Sequence, residues 1–331
     1  KASAGGKIWT FKIRQGITFH DGSALTADDV VWTFKSHLDP ANKSNGAGKF
    51  KGILNTAGVQ KVDKYTVKFE LLAAVGTFPY LVAGTSYGFL MIKNGESGGP
   101  TWETKMNGCG PYMLESYVKG DRATFKKNPN YWDKSRQPKF DKLVTISFES
   151  QEAAVAQILT GNLDATTGIS GATAAKINKK KIDLVNVKSV GHLMVHMRSD
   201  FGPFSVDKRV RQAAALTLDR EGFLKGVLKG AGSVGNDNVM DPFPTADKSV
   251  KQRKKDLAAA KKLMAAAGST GFKVDLSTYH RDDIDLLAPF LKSSWAEIGI
   301  DLNLGKISDS YYTAPWDANT AKKQESNFWL E

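Results

Sequence analysis

Two places in the sequence bring together side chains that often carry out acid–base chemistry or bind ligands. In the first, His20 and Asp21 are adjacent and are followed by Gly22. An imidazole beside a carboxylate could act as a general base in a hydrolase. Asp-Gly is also a common turn dipeptide, because glycine adopts backbone angles that other residues avoid. The sequence favours the turn, and the hydrolase stays as an alternative.

The second place is the segment 191–199, with the sequence GHLMVHMRS. In a strand, His192, Met194, His196 and Arg198 would share one face, because successive side chains point to opposite sides. The two histidines would then lie nearly 14 Å apart, at about 3.4 Å per residue, which is too far for one metal ion. Arg198 would be either an exposed strand end or a fork that binds a carboxylate.

Catalytic and metal-binding motifs are otherwise missing from the sequence. Cys109 is the only cysteine, so no internal disulfide can form, and no neighbour in sequence would lower the pKa of its thiol. No zinc or haem motif is present, nor is a Gly-x-Ser-x-Gly or a His-Glu-x-x-His pattern. We therefore expect no catalytic residue, no metal and no cofactor.

The elements that would position these residues follow from hydrophobic periodicity and helix caps. Thr26 with Asp29 should cap the first helix, and Ser205, Asp219 and Asp256 should each cap a later one. The helix that Asp219 caps is predicted to end at Gly230. Helices are predicted at 26–38, 152–159 and 286–298, with a short one that starts near Pro79. Strands or hairpins are predicted at 8–13, 59–72, 140–148, 182–187, 191–199, 272–276 and 299–304.

The order of these elements predicts the fold class. Strands and helices alternate after residue 132, which is typical of α/β crossover units on a mostly parallel sheet. Tyr80 and Tyr87 are expected in the core, and Arg211 and Arg220 with Asp219 in a packing network.

Length and composition limit the possible function classes. A chain of 331 residues with 41% hydrophobic and 24% charged residues is an ordinary soluble protein of two or more domains. The net charge of +12 could suit nucleic acid, but the lysines are spread along the chain, so we expect solvated faces and no nucleic-acid partner. No apolar run is long enough for a membrane span, and the start, KASAGGK, is no signal peptide.

The exact residue order of several segments identifies a protein family more specifically than their periodicity does. TFKIRQGITFHDGSALTADDVVWTFK, NGCGPYMLESYVKGDRATFKKNPNYWDK, QEAAVAQILTGNLDATTG and PFSVDKRVRQAAALTLDREGFLKGVLKGAG occur in that order. They resemble segments of the family 5 extracytoplasmic solute-binding proteins, which are the peptide- and nickel-binding components of ABC importers. The resemblance implies an α/β fold of the periplasmic-binding-protein-like type II, a multi-lobe flytrap with an extra inserted domain. It also implies lobes that close around a ligand.

The same resemblance implies the domain division. Residues 1–133 would form the inserted lobe, residues 134–238 part of the first α/β ligand-binding lobe, and residues 239–331 the incomplete start of the second. Against the family plan, the leading segment of the first lobe and most of the last domain are expected to be missing.

The resemblance implies a substrate-binding protein that captures a small solute and delivers it to an ABC permease with its ATPase. Di- and oligopeptides are the most frequent ligands in the family; nickel chelates, opines and oligosaccharides stay open. We expect a monomer in the periplasm, or a lipid-anchored protein outside the membrane of a Gram-positive organism. The alternatives are a hydrolase and a stand-alone, chaperone-like peptide-binding protein.

Seven residues are expected to contact the ligand. Relatives often have an aromatic residue near Asn45 and a Tyr-x-Asn sequence near Ser199, and these departures leave the ligand class open. The three aromatic residues near the chain end could equally belong to the core. The expected ligand contacts are Asn45, His196, Arg198, Ser199, Tyr311, Tyr312 and Trp316.

Overall fold

A computed structural model describes residues 1–42, 44–83, 90–96, 104–177, 182–187, 191–238, 243, 246–278, 282–307 and 328–330. The chain divides into two compact units, Lys1–Phe148 and Glu149–Glu331. The division into three parts at 133/134 and 238/239 stays a prediction. No described helix is long and apolar enough to cross a membrane.

The first unit begins with a four-stranded antiparallel sheet in the order β1-β2-β4-β3. One helix, α1, packs against it, and a second short helix, α2, follows. The strand at 8–13 and the hairpin at 59–72 are confirmed. The bounds are β1 (Ala2–Ser3), β2 (Ile8–Lys12), α1 (Ala27–Leu38), β3 (Val59–Asp63), β4 (Thr66–Glu70) and α2 (Phe78–Val82).

The start of α1 is set by the predicted capping box. The Thr26 N–H donates to Asp29 Oδ2 at 2.7 Å, and the Thr26 hydroxyl accepts the Asp28 N–H at 3.3 Å. These bonds satisfy backbone groups that the first turn leaves without helical partners. The apolar stripe of α1 then packs into a core of aromatic rings, where Phe34 lies 4.7 Å from Phe69 between ring centroids.

A second sheet in this unit has three antiparallel strands, β5 (Tyr112–Val118), β6 (Arg122–Lys127) and β7 (Lys142–Ile146), in that order. The strand at 140–148 was predicted to open an α/β crossover with a parallel sheet, which is wrong. Thr124 pairs with Val144 in an antiparallel ladder. Antiparallel neighbours need only a connecting loop, so no crossover helix is required between them.

The second unit contains a mixed four-stranded sheet in the order β10-β9-β11-β8. Strands β9 and β10 are parallel and are connected through α8, as the predicted crossover requires. Strand β11 is parallel to β9 and antiparallel to β8. The bounds are α3 (Gln151–Thr160), α4 (Gly171–Lys176), β8 (Val195–Met197), α5 (Lys208–Leu216), α6 (Arg220–Gly226), α7 (Leu257–Ala266), β9 (Phe272–Thr278), α8 (Asp282–Ala296), β10 (Ile300–Ile307) and β11 (Phe328–Leu330).

Other local predictions differ from the structure. Residues 182–187 form no strand, since no described strand pairs with them, and Val185 is 84% exposed. Asp207, not Ser205, caps α5, while the Ser205 hydroxyl donates to the Gly202 carbonyl. Helix α6 ends at Gly226, because the Gly230 N–H donates back to the Leu224 carbonyl and closes the end.

The two tyrosines expected in the core have different outcomes. Tyr80 is 78% exposed, so its core prediction is wrong. It lies on the short helix α2, which buries Phe78 and leaves Tyr80 outside. Tyr87 lies outside the described residues.

Candidate functional site

The second unit contains a large concavity of about 2050 Å3. It is bordered by β8, by parts of α5, α6 and α8, and by the loop 228–238. A space of this size exceeds the usual volume of a small-molecule pocket, about 300–1,000 Å3, so it could hold a sizeable solute.

The segment 191–199 borders the concavity along its whole length. Leu193, Val195 and Met197 also pack against the hydrophobic core of the unit, so the lining does not divide into two separate faces as the predicted alternation requires. His196 and Arg198 are among the residues that line the concavity. Only Val195–Met197 are paired as strand β8, fewer residues than predicted.

Strand β8 is the last strand of its sheet. It pairs with β11 on one side, and no described strand pairs with it on the other. The open edge presents backbone N–H and carbonyl groups beside the concavity, and such an edge can pair with an extended chain.

Arg198 lines the concavity and is held in place by contacts with its own neighbours in sequence. Its Nε donates to Asp200 Oδ1 at 2.9 Å, its Nη2 donates to Asp200 Oδ2, and its guanidinium lies 3.8 Å from the centre of the Phe201 ring. The hydrogen bonds from Arg198 lower the pKa of Asp200 to about 2. Arg198 therefore makes its bidentate pair with a carboxylate of this chain, and its predicted binding of a ligand carboxylate stays a prediction.

The other predicted ligand contacts are distributed as follows. Ser199 is exposed and lines the concavity. Asn45 lies in the first unit, in the 3-10 turn Asn45–Phe50, and so is not part of this concavity. Tyr311, Tyr312 and Trp316 lie outside the described residues. That these residues contact ligand stays a prediction.

An ion-pair cluster that lies at the concavity was not predicted from the sequence. Asp237 Oδ1 accepts from Arg220 Nη2 at 2.5 Å, and Asp237 Oδ2 accepts from Arg253 Nη1. Asn236 and Asp237 both have a positive φ near 50°, which these two residue types tolerate better than most. The tolerance of Asn and Asp for a positive φ, in the segment GNDN, was the only feature of the sequence that indicated this cluster.

The predicted network of Arg211, Arg220 and Asp219 does not form. Asp219 caps α6 by accepting the Gly222 N–H at 2.8 Å. Arg211 donates to the Phe204 carbonyl, and Arg220 turns to Asp237. The ion-pair cluster therefore connects α6 with the segment before α7. The Asp219 carboxylate bonds instead to a backbone N–H of α6.

His20 has the structural role that the sequence favoured. The Gly108 N–H donates to His20 Nδ1 at 3.3 Å, and Nε2 contacts the Gly110 carbonyl at 3.1 Å, which is consistent with a proton on Nε2. Both ring nitrogens are thus occupied by backbone groups of the Gly-x-Gly-Pro turn. The thiol between these glycines is not activated, because burial raises the pKa of Cys109 to about 12.

Asp21 is the centre of a hydrogen-bond network. Lys93 Nζ and Asn107 Nδ2 donate to its Oδ2 at 2.5 and 3.1 Å, and the Ser23 hydroxyl donates to its Oδ1 at 2.6 Å. Burial by itself would raise the pKa of the carboxyl, but the hydrogen bonds from Lys93 and Ser23 outweigh it and hold that pKa well below its usual value. Asp21 therefore joins the turn 20–23 to the segments around residues 93 and 107.

This pKa predicts an acid-dependent loss of stability. A depressed pKa in the folded state means that Asp21 contributes stability fully above the unfolded value, about 3.9, and loses it as the pH falls below that value. We expect Asp21→Asn to be less stable than the wild type at pH 7, with the gap narrowing progressively as the pH falls below about 4. Urea unfolding at several pH values measures this.

Asp141→Asn serves as the control, since the Asp141 side chain is 97% exposed in the same unit. We expect it to leave the acid response unchanged. A gap between wild type and Asp21→Asn that stays constant down to pH 2 would contradict the assignment.

The chain was compared with known proteins. The sequence profile of "Bacterial extracellular solute-binding proteins, family 5 Middle" matches residues 1–328. The chain is 27% identical to "Heme-binding protein A" of Haemophilus influenzae, over 90% of this chain and 59% of that protein. It is 26% identical to the "Dipeptide-binding protein" of Escherichia coli K12, over 92% of this chain and 61% of that protein.

Solved structures share the fold. The PBP AgaA of A. tumefacien R10, solved in complex with agropinic acid, superimposes with a TM-score of 0.81 at 23% identity, over 100% of this chain and 66% of that one. The predicted α/β fold of the type II periplasmic binding proteins is therefore confirmed. The chain spans about three fifths of the length of the curated relatives it matches. With nearly every residue matched by one profile, the chain belongs to family 5 of the bacterial extracellular solute-binding proteins.

Proposed function

We propose that this protein is the substrate-binding component of an ABC-type importer. It captures a small solute outside the cytoplasmic membrane and delivers it to the permease and its ATPase, acting as a monomer and without catalysis. The observation that carries this proposal is the family match over residues 1–328. The concavity of the second unit, which Arg198 lines while paired with Asp200, supports it.

A di- or oligopeptide is the ligand class that we propose. No described strand pairs with β8 on the side away from β11, and an extended peptide can add to such an edge through backbone hydrogen bonds that do not depend on the peptide's sequence. The Escherichia coli relative is named for dipeptide binding. The alternatives are haem, from the name of the Haemophilus influenzae relative, and agropinic acid, the ligand in the solved AgaA complex.

The hydrolase alternative receives less support from the site. A general base must reach the proton that it removes. Both nitrogens of His20 already contact backbone groups of residues 108 and 110. Turnover of esters or peptides that His20→Ala abolishes would favour the hydrolase over the binding protein.

Native mass spectrometry of the full-length protein, as purified, tests the proposal directly. We expect a bound mass that denaturation releases, and a peptide fragmentation pattern from it. Titration calorimetry with dipeptides and tripeptides, haem and a sugar acid then ranks the ligand classes. No retained mass together with no heat from any class would contradict a solute-binding role.

Arg198→Lys tests whether the rim of the concavity takes part in binding. Lysine keeps the charge but cannot make the two parallel bonds to Asp200. We expect the Kd of the solute to rise at least about tenfold, which corresponds to about 1.4 kcal/mol. Arg136→Lys is the matched control, because the Arg136 side chain is 83% exposed and lies in the other unit. Equal affinities in both variants would remove Arg198 from the site.

A further inference from the structure

We propose that Arg253 binds an anionic group of the captured solute in the concavity of the second unit, and that Asp237 positions it. The inference rests on the proposed function, because it names the chemistry of the solute that the concavity takes. Arg253, Asp237 and Arg220 all line that concavity. The group bound would be a carboxylate, either the terminal carboxylate of a peptide or an acidic side chain.

Two arginines share one carboxylate in this ion-pair cluster. Asp237 Oδ1 accepts from Arg220 Nε at 3.1 Å and also from Arg220 Nη2, while Asp237 Oδ2 accepts from Arg253 Nη1. One carboxylate balances the charge of only one guanidinium. The cluster therefore keeps a positive charge that pairs with no carboxylate in the part of the chain that the structure describes.

Arg220 uses its hydrogen-bond donors inside the protein. Its side chain is only 16% exposed, and its Nη1 donates to the Ala215 and Leu218 carbonyls at 3.1 and 3.3 Å. Ala215 lies in the last turn of α5, where helix carbonyls lack helical partners and a positive charge is favourable. Arg220 therefore has a structural role, and the other arginine of the cluster is the one left for a ligand.

Arg253 is the more accessible of the two arginines and keeps most of its donors. Its side chain is 37% exposed, and among the described residues its guanidinium makes one hydrogen bond, to Asp237. A guanidinium has five N–H donors in a fixed plane. The remaining donors of Arg253 can therefore make the two parallel hydrogen bonds by which an arginine binds a carboxylate.

The loop that precedes Arg253 in sequence holds it in place. Asn236 Oδ1 accepts the Arg253 N–H at 3.3 Å, and Asn236 Nδ2 donates to the Val250 carbonyl at 2.7 Å. Asn236 thus holds the backbone of the segment whose arginine side chain is held by Asp237. A donor that is already positioned loses less conformational entropy when a ligand binds. The cluster is therefore pre-organised for an anion.

The wider lining of the concavity has an excess of the same charge. Among the described residues that line it, five side chains are cationic and three are aspartates, with the histidines counted as neutral. The cationic side chains are Arg198, Lys208, Arg211, Arg220 and Arg253. A cleft lined by an excess of one charge raises the local concentration of ligands of the opposite charge. The lining therefore favours an anionic solute over a neutral one.

Titration calorimetry with two pairs of peptides that differ by one charge tests the proposal. Trialanine is compared with its C-terminal amide, and the amide of Ala-Glu-Ala with the amide of Ala-Gln-Ala. We expect the carboxylate peptide of at least one pair to bind at least about tenfold more tightly, as for hydrogen bonds between charged groups. The pair that shows the preference identifies the source of the carboxylate. Arg253→Gln should reduce the preference to less than about twofold and leave the affinity for the amide unchanged.

Arg209→Gln is the matched control. Arg209 lies in the same unit, pairs with Asp207 and has a side chain that is 42% exposed, but it is not among the residues that line the concavity. We expect this variant to keep the preference of the parent. Circular dichroism checks that each variant folds. If Arg253→Gln does not fold, Arg253→Lys replaces it and should reduce the preference at least about threefold, because lysine lacks the planar fork.

Citrate provides a second probe that does not depend on a peptide. At constant ionic strength it should raise the Tm of the parent and of Arg209→Gln more than that of Arg253→Gln, because an anion that binds the folded state stabilises it. The proposal is overturned if peptides bind but neither pair shows a preference, if Arg253→Gln keeps the preference, or if citrate raises the Tm equally in Arg253→Gln and the parent. If no peptide binds, the proposed peptide ligand fails, whereas a citrate effect that Arg253→Gln removes still supports the anion site.

Discussion

Replacing Phe34 by alanine is expected to lower the free energy of unfolding of the first unit by about 3–5 kcal/mol, the usual cost of truncating a buried phenylalanine. Phe34 is 3% exposed on the inner face of α1. Its ring lies 4.7 Å from Phe69 and 5.8 Å from Phe50 between centroids. The cavity left by alanine would remove these contacts from both neighbours at once. Urea unfolding followed by tryptophan fluorescence measures the loss.

Phe140→Ala is the control for this experiment. It is the same substitution in the same unit, but Phe140 is 71% exposed. The Phe140 backbone carbonyl accepts from the Tyr112 hydroxyl at 3.1 Å, and this bond survives the change. We expect a change of less than about 0.5 kcal/mol. Similar losses in the two variants would show that Phe34 is not part of the core.

Gly271→Ala is expected to destabilise the second unit by more than about 3 kcal/mol. A Cβ at this position would lie 2.1 Å from the Gly299 carbonyl oxygen, and the φ of +113° is one that side chains disfavour. Overpacking and backbone strain each cost about 1–3 kcal/mol. The close approach is needed because the Phe272 N–H donates to the same carbonyl at 3.2 Å, where β9 and β10 begin side by side. Thermal unfolding of the variant measures the effect.

Gly226→Ala is the matched control in the same unit. Gly226 ends α6, and a Cβ there would meet no atom within 4 Å. We expect this variant to be as stable as the wild type or more stable by up to about 1 kcal/mol, because alanine loses less backbone entropy on folding. If Gly271→Ala proved equally harmless, the two strands would not meet as closely as described.

Much of the local structure could be predicted because its causes lie within a few residues. Thr26 and Asp29 cap α1 through groups three residues apart, and Asp256 caps α7 in the same way. The alternation around β8 correctly placed Leu193, Val195 and Met197 against the core, although these residues also border the concavity. The family could also be identified from the sequence, because several long segments that resemble the family occur in the same order.

Pairings between distant residues could not be predicted from the sequence. His20 and Asp21 find their partners about 90 residues away, and Asp237 brings together two arginines 33 residues apart. Strand β7 has the pattern of a crossover strand, yet its partner is β6.

The sequence by itself determined the caps of α1, α6 and α7, the turn at Asp21-Gly22 and the family. Only the tertiary structure decided which strands became neighbours, which carboxylate each arginine meets and that Tyr80 is exposed. The physical reason is that propensity and capping act over a few residues. Strand pairing, ion pairs and burial depend instead on which distant surfaces the folded chain brings together.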